Sequence, residues 1–256
     1  MSVLSALLVA MGLADLLSAL AARSATSTRP ATSTRPTRAV PIIGLGVLAL
    51  VAAGAGLLTT WGGVTLTALA VAGLVAWLVC AERADRGEGH GMALAVFAGA
   101  VLVQLLLSGW APPVGGWVAD WLAWSDLPWQ PSADRALLLA GLVLVQLATG
   151  NRVVRLVLVT TGALPARPVA GGTDGELRGG RLLGPLERIF VLGLGLAGEL
   201  TAAGLVIAAK GLIRWPELKA HADDEHGGGI DKVTEYFLVG SFVSWLVALV
   251  ALVLAA

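Results

Sequence analysis

Charge is what this 256-residue chain has least of. Asp, Glu, Lys and Arg make up 13% of it, against about 25% in soluble domains. The 17 acidic and 17 basic residues cancel, so no general attraction to nucleic acid follows. There is one cysteine, Cys80, which excludes an intramolecular disulfide and a Cys-pair metal site. Free cysteine at the end of an apolar run reads as a small packed hydrophobe. Alternating apolar and polar runs are missing too, which argues against an outer-membrane barrel. The chain has no Gly-x-Ser-x-Gly elbow and no His-Glu-x-x-His, and GGRLLG lacks the Lys-Ser/Thr of a phosphate loop. His221 and His226 flank an acidic run without metal-site spacing, and His90 stands alone. No metal and no cofactor is implied.

What is present is apolar: 57% of the residues, in long runs. This places the chain among polytopic all-α integral membrane proteins with the lipid bilayer as partner. Seven transmembrane helices can be drawn, at about 2–22, 40–60, 62–80, 92–109, 136–158, 187–211 and 233–254. Residues 40–80 read either as a full hairpin or as a re-entrant element. The first run lacks a basic leader and contains Asp15, so it reads as a retained span rather than a signal peptide. Four regions follow: a first helix (1–22), a linker (23–39), helices 2–4 with a Trp-rich loop (40–135), and helices 5–7 (136–256). The linker contains ATSTRP twice, at 25–30 and 31–36, a composition that cannot form a core and predicts disorder.

The segment after Gly184 carries the most information. Arg188, Glu199 and Lys210 are spaced by 11 residues, about three helical turns, so one continuous helix puts them on one face. Glu199 then falls near the bilayer midplane with its side chain toward a bundle interior, because an ionisable group exposed to hydrocarbon is costly. Small residues around it, such as Gly195, Gly198, Ala202 and Ala203, allow close helix approach and also allow a homo-oligomer. Asp15 is a second intramembrane carboxylate that could share a site with Glu199. Gln104 and Gln146 read as interhelical glue or polar neighbours. Glu187, beside Pro185 at a helix start, has a simple account as an acid near the positive end of the helix dipole.

Lys210, Arg214, Glu217, Glu235 and Tyr236 are expected to form one cluster at the outer ends of spans 6 and 7. The loop 109–134 contains five tryptophans; Trp117, Trp121 and Trp124 share a helical face and predict a short helix lying on the outer leaflet. An aromatic platform for a sugar or lipid is the alternative. Basic residues concentrate on the side of the 22–39 loop, which predicts a bacterial inner-membrane protein with its N-terminus out and C-terminus in.

From about 150 to 251 the chain resembles a family of uncharacterised bacterial integral membrane proteins. The motif residues are Gly150-Asn151-Arg152 with Arg155; Gly180-Arg181, Gly184 and Leu186-Glu187-Arg188; Ala203-Gly204, Ala208-Ala209-Lys210 and Arg214; and Glu235-Tyr236 with Gly240-Ser241. The resemblance covers about 100 residues. It implies membrane topology, with Arg181, Glu187 and Arg188 as a cytoplasmic motif, and brings no established activity. Many relatives are expected to carry Gln where this chain has Glu199.

Three functions are compatible with these features. The first is a solute or ion pathway using Asp15, Glu199 and Lys210. The second is a membrane-embedded enzyme acting on a lipid-linked substrate at the outer cluster. The third is a non-catalytic assembly or scaffold subunit.

Overall fold

The computed structural model describes residues 1–28, 39–125, 130–165, 180–222 and 230–256, with the backbone alone over 23–28, 39, 180–182, 213–222 and 230–235. The regular structure of these residues is entirely helical. Four segments are long and apolar enough to cross a membrane: Ser2–Ala22, Trp61–Asp85, Ala133–Thr160 and Tyr236–Ala255. Val40–Gly54, His90–Leu106 and Leu200–Leu212 are shorter apolar helices. The polytopic helical class therefore stands; among the described residues four helices, rather than seven, have membrane length. Of the linker expected at 23–39, residues 23–28 continue the first helix and 29–38 lie outside the described residues, as does most of the loop between His221 and His226.

The chain divides into two compact units. The first comprises Met1–Glu82 and Met92–Thr149. Its centre is α1 (Ser2–Thr28). Ala and Leu dominate α1, and both are strong helix formers. From Val3 to Met11 every side chain is buried, so this helix is surrounded rather than amphipathic. Gly12 and Gly141 let α1 and α6 (Ala133–Leu144) approach closely. A Cβ on Gly12 would lie 2.8 Å from the Leu144 backbone carbon, and one on Gly141 3.0 Å from the Ser5 carbonyl.

α2 (Ala39–Gly54) runs back along α1. Gly44 sits against Ala14, and the Gly115 N–H donates to the carbonyl of Ala55 just beyond the helix. The Ser2 hydroxyl donates to Pro112 at this same end. A 3-10 turn at Leu57–Thr59 leads into α3 (Trp61–Asp85). Residues 40–80 thus fold as two helices joined by this turn, the first of them shorter than a membrane-length span. α3 buries Leu66, Ala70, Leu74, Trp77 and Ala81 at helical spacing and exposes Leu69, Val71, Val75 and Val79. α4 (His90–Leu106) follows, then the expected short helix α5 (Gly116–Ser125), whose Trp117, Trp121 and Trp124 are all exposed.

The second unit comprises Arg83–Gly91 and Gly150–Ala256. It holds α7 (Gly150–Thr160), α8 (Gly180–Leu196), α9 (Leu200–Ala222) and α10 (Ile230–Ala255). The continuous helix expected over 187–211 is absent. Gly198 adopts φ +82°, the left-handed conformation that glycine takes at a helix end. Its N–H donates to Gly195, and the Glu199 N–H donates to Leu194 at 2.8 Å. This pair of bonds is the Schellman stop, which satisfies the last carbonyls of α8. The chain then folds back, and α8 and α9 become a hairpin. α10 runs parallel to α8: Ser244 bonds Arg188, and Leu252 packs on Gly195.

The close α1–α6 contact predicts an asymmetry among glycines. Gly12→Ala should destabilise the protein by about 1–3 kcal/mol, the usual cost of overpacking against backbone. Gly46→Ala, where a Cβ meets nothing within 4 Å, should be neutral or slightly stabilising. Chemical unfolding in detergent reads both; equal effects would contradict the packing described.

Candidate functional site

Three charged side chains converge inside the second unit. Glu187 and Arg188 are consecutive on α8 and both are buried. Glu187 can be buried because both its oxygens are engaged. Oε2 pairs with Lys210 Nζ at 2.5 Å, and Oε1 accepts from the indole Nε1 of Trp245 at 2.9 Å. Lys210 reaches Glu187 because the turn at Gly198 brings α9 back along α8. Its side chain keeps 19% exposure against 5% for Glu187, so the pair is open at the lysine.

Arg188 faces the other way. Nη2 donates to Asn151 Oδ1 at 2.7 Å and Nη1 to Ser244 Oγ at 3.0 Å. Its guanidinium lies over the backbone of Gly150, where a Cβ would come within 2.8 Å of Nε. A Cβ on Gly184 would meet Nη1 at an ordinary contact distance of 3.6 Å. The planar fork of arginine suits such fixed double donation. One node thus ties together α7, α8, α9 and α10. Gly150, Asn151, Gly184, Glu187, Arg188 and Lys210 are scattered over 61 positions of sequence, and they meet here.

A second polar site lies in the first unit. Asp15 is 4% exposed, and its Oδ2 accepts from Thr149 Oγ1 at 2.7 Å and from Trp77 Nε1 at 3.2 Å. Thr149 ends a π-helical segment, Val145–Thr149. Such bulges recur at functional sites, and here the bulge buries both Gln146 and Thr149. Gln104 donates Nε2 to the Leu66 carbonyl at 2.9 Å, so it does join helices as expected.

The structure redistributes the residues singled out in the sequence. Glu199 does not face a bundle interior: it is exposed, in the turn between α8 and α9. The 11-residue spacing fails as a face argument because the helix is broken between its members. Lys210 does not stand at the opposite end of a span from Arg188; it pairs with Arg188's neighbour. Of the cluster expected around Lys210, only Lys210 and Tyr236 have described side chains. Tyr236 is exposed, and the side chains of Arg181, Arg214, Glu217 and Glu235 lie outside the described residues. Glu187, expected as a helix-dipole acid and as part of a cytoplasmic motif, is the central carboxylate. Trp245 and Ser244 carry no signal in the sequence beyond being polar or amphipathic groups in an apolar run, and Asn151 stands out only as part of Gly150-Asn151-Arg152. Among the described residues no three His, Cys, Asp or Glu side chains come together as a metal site. A shallow cleft lined by Trp61, Gly62, Thr65 and Trp110 opens at the start of α3.

Comparison with known protein families, with curated proteins and with solved structures finds no match.

The node makes a non-additive prediction. Lys210→Met leaves a buried carboxylate without its cation and should cost about 3–5 kcal/mol, the typical price of breaking a buried pair. Glu187→Gln combined with Lys210→Met removes both charges and keeps the Trp245 bond, so the double variant should recover most of that loss. Unfolding midpoints in detergent test this; additive losses would show that the two side chains are not coupled.

Proposed function

We propose that this is a multi-pass protein of a bacterial cytoplasmic membrane that provides a pathway for a proton or small cation, with the Glu187–Lys210 pair as its working element. The observation that carries this reading is the depth of the pair. Trp245, which holds Glu187, lies nine residues past the first residue of the apolar segment Tyr236–Ala255. At about 1.5 Å per residue, that puts the node roughly 14 Å beyond Tyr236, deep in the hydrocarbon. Ionisable groups at that depth are costly and mark ion or proton routes by default. Glu187 replaces Glu199 in the pathway, and Lys210 keeps its place. A buried carboxylate with one exchangeable ammonium partner and one neutral donor can lose the first and be protonated without losing the second.

Topology follows from the same hairpin. Residues 189–209 and 233–256 contain no Lys or Arg. Among the described residues of the second unit, the basic ones lie at the node or toward the end from which α8 and α10 start. The positive-inside rule makes that end cytoplasmic. Because α8 and α10 are parallel, this reading puts the C-terminus outside, a revision of the sequence expectation, and keeps the N-terminus outside. The α8–α9 hairpin then contributes two crossings.

One observation favours a second reading, a scaffold: the node's charges are already paired and link four helices. Proteoliposomes separate the two. In the pathway reading, the reconstituted protein speeds collapse of an imposed pH or cation gradient over empty liposomes, and Glu187→Gln lowers that rate at least tenfold. No rate above empty liposomes, with folded protein, would support the scaffold.

The topology has its own check. In a Cys80→Ser background, a cysteine placed at Ala256 should react with a membrane-impermeant maleimide in intact cells. Protection until permeabilisation would return the C-terminus to the cytoplasm.

A further inference from the structure

The first unit contains a polar site that the pathway does not use. Gln104 on α4 is 2% exposed. Its Nε2 is fixed on the Leu66 carbonyl, which also fixes where its other amide atom lies. That atom, Oε1, is buried without a protein hydrogen-bond partner, and so is Oγ1 of Thr67, the residue next to Leu66 on α3. The two orphan oxygens flank one peptide group yet do not bond each other. A buried carbonyl and a buried hydroxyl left unsatisfied each carry a desolvation penalty, and native interiors satisfy such groups with protein or ordered water.

We propose that Gln104 and Thr67 form a binding site for one ordered water molecule between α3 and α4. The chemistry selects water. Gln104 Oε1 can only accept, so its partner must donate. Thr67 Oγ1 can donate or accept. A molecule with two donors and two acceptors serves both, and two to four polar partners are what a buried water needs. A bare metal ion is disfavoured, because two neutral oxygens are far fewer than the six to eight, often anionic, ligands of hard cations. The site is also separate from Asp15. On the buried stripe of α3, Ala70 and Leu74 stand between Leu66 and Trp77, and the ten intervening residues span about 15 Å. The water is thus a fixed joint between helices rather than a station on a proton route.

Thr67→Val tests this, because it removes the hydroxyl and keeps the shape. If the hydroxyl holds a water shared with Gln104, Thr67→Val should lower the folding equilibrium constant about fivefold in the full-length protein in detergent. Thr67→Ser, which restores a hydroxyl, should recover most of it. In a Gln104→Met background, Thr67→Val should have little further effect, since the shared partner is already lost. A Thr67→Val protein as stable as the wild type, or more stable, would show that the hydroxyl has no partner to lose. Equal loss in both backgrounds would show that the two groups do not share one. Either result overturns the proposal.

Discussion

A buried charge has to be held, and the second unit is arranged around that constraint. Glu187 and Arg188 sit side by side on α8, so they project in different directions and need separate partners. Glu187 takes Lys210 and Trp245, while Arg188 takes Asn151 and Ser244. These four partners come from three other helices. The turn at Gly198 is the geometric consequence: only a chain that folds back there can bring Lys210 to Glu187. The glycine at 150 is another, since a side chain at that position would occupy the place of the guanidinium. By comparison, the surface pair Arg152–Asp85 at 2.6 Å, with side-chain exposures of 20% and 48%, contributes little.

The first unit solves a milder version of the same problem. Its carboxylate, Asp15, is held by an indole N–H and a threonine hydroxyl, and the rest of its core is packing. α1 is buried on every side over its first three turns. Close approach at Gly12 and Gly141 brings backbones together, which is how helices associate where lipid offers no hydrophobic drive. The π segment Val145–Thr149 turns Gln146 and Thr149 inward at once. One extra residue in the turn changes which side chains face the core.

What could be read from the sequence was the part governed by hydropathy and helical period. The runs at Ser2–Ala22, Trp61–Asp85 and Tyr236–Ala255 are each a helix of membrane length, and the tryptophan spacing gave the short exposed helix α5. Asp15 stood out as an acid in an apolar run and is indeed buried and hydrogen-bonded. The candidate site was half legible. Lys210 was singled out, but with the wrong neighbours, because a single glycine decided between a through-going helix and a hairpin. The Gly198-Glu199 pair could have been read as a helix stop, since glycine is common just past a helix end. The unbroken hydrophobicity on either side outweighed it. Glu187 was hidden for a different reason: an acid near a helix start has an ordinary explanation. Only tertiary contact with Trp245 and Lys210, 58 and 23 positions away, distinguishes it. Trp77 and Thr149 likewise acquire meaning only once α3 and the π segment surround α1.

The account depends on the charged node lying in hydrocarbon rather than at a headgroup surface. Spin labels at Phe242 and Leu246, both exposed side chains of α10 close to Ser244 and Trp245, measure that depth in bilayers with little disturbance to packing. Collisional relaxation by oxygen should be high and by a water-soluble nickel chelate low at both positions, giving a depth within about 5 Å of the midplane of the ~30 Å core. Strong relaxation by the nickel chelate at both, marking headgroup level, would contradict an intramembrane ion pair and the pathway built on it.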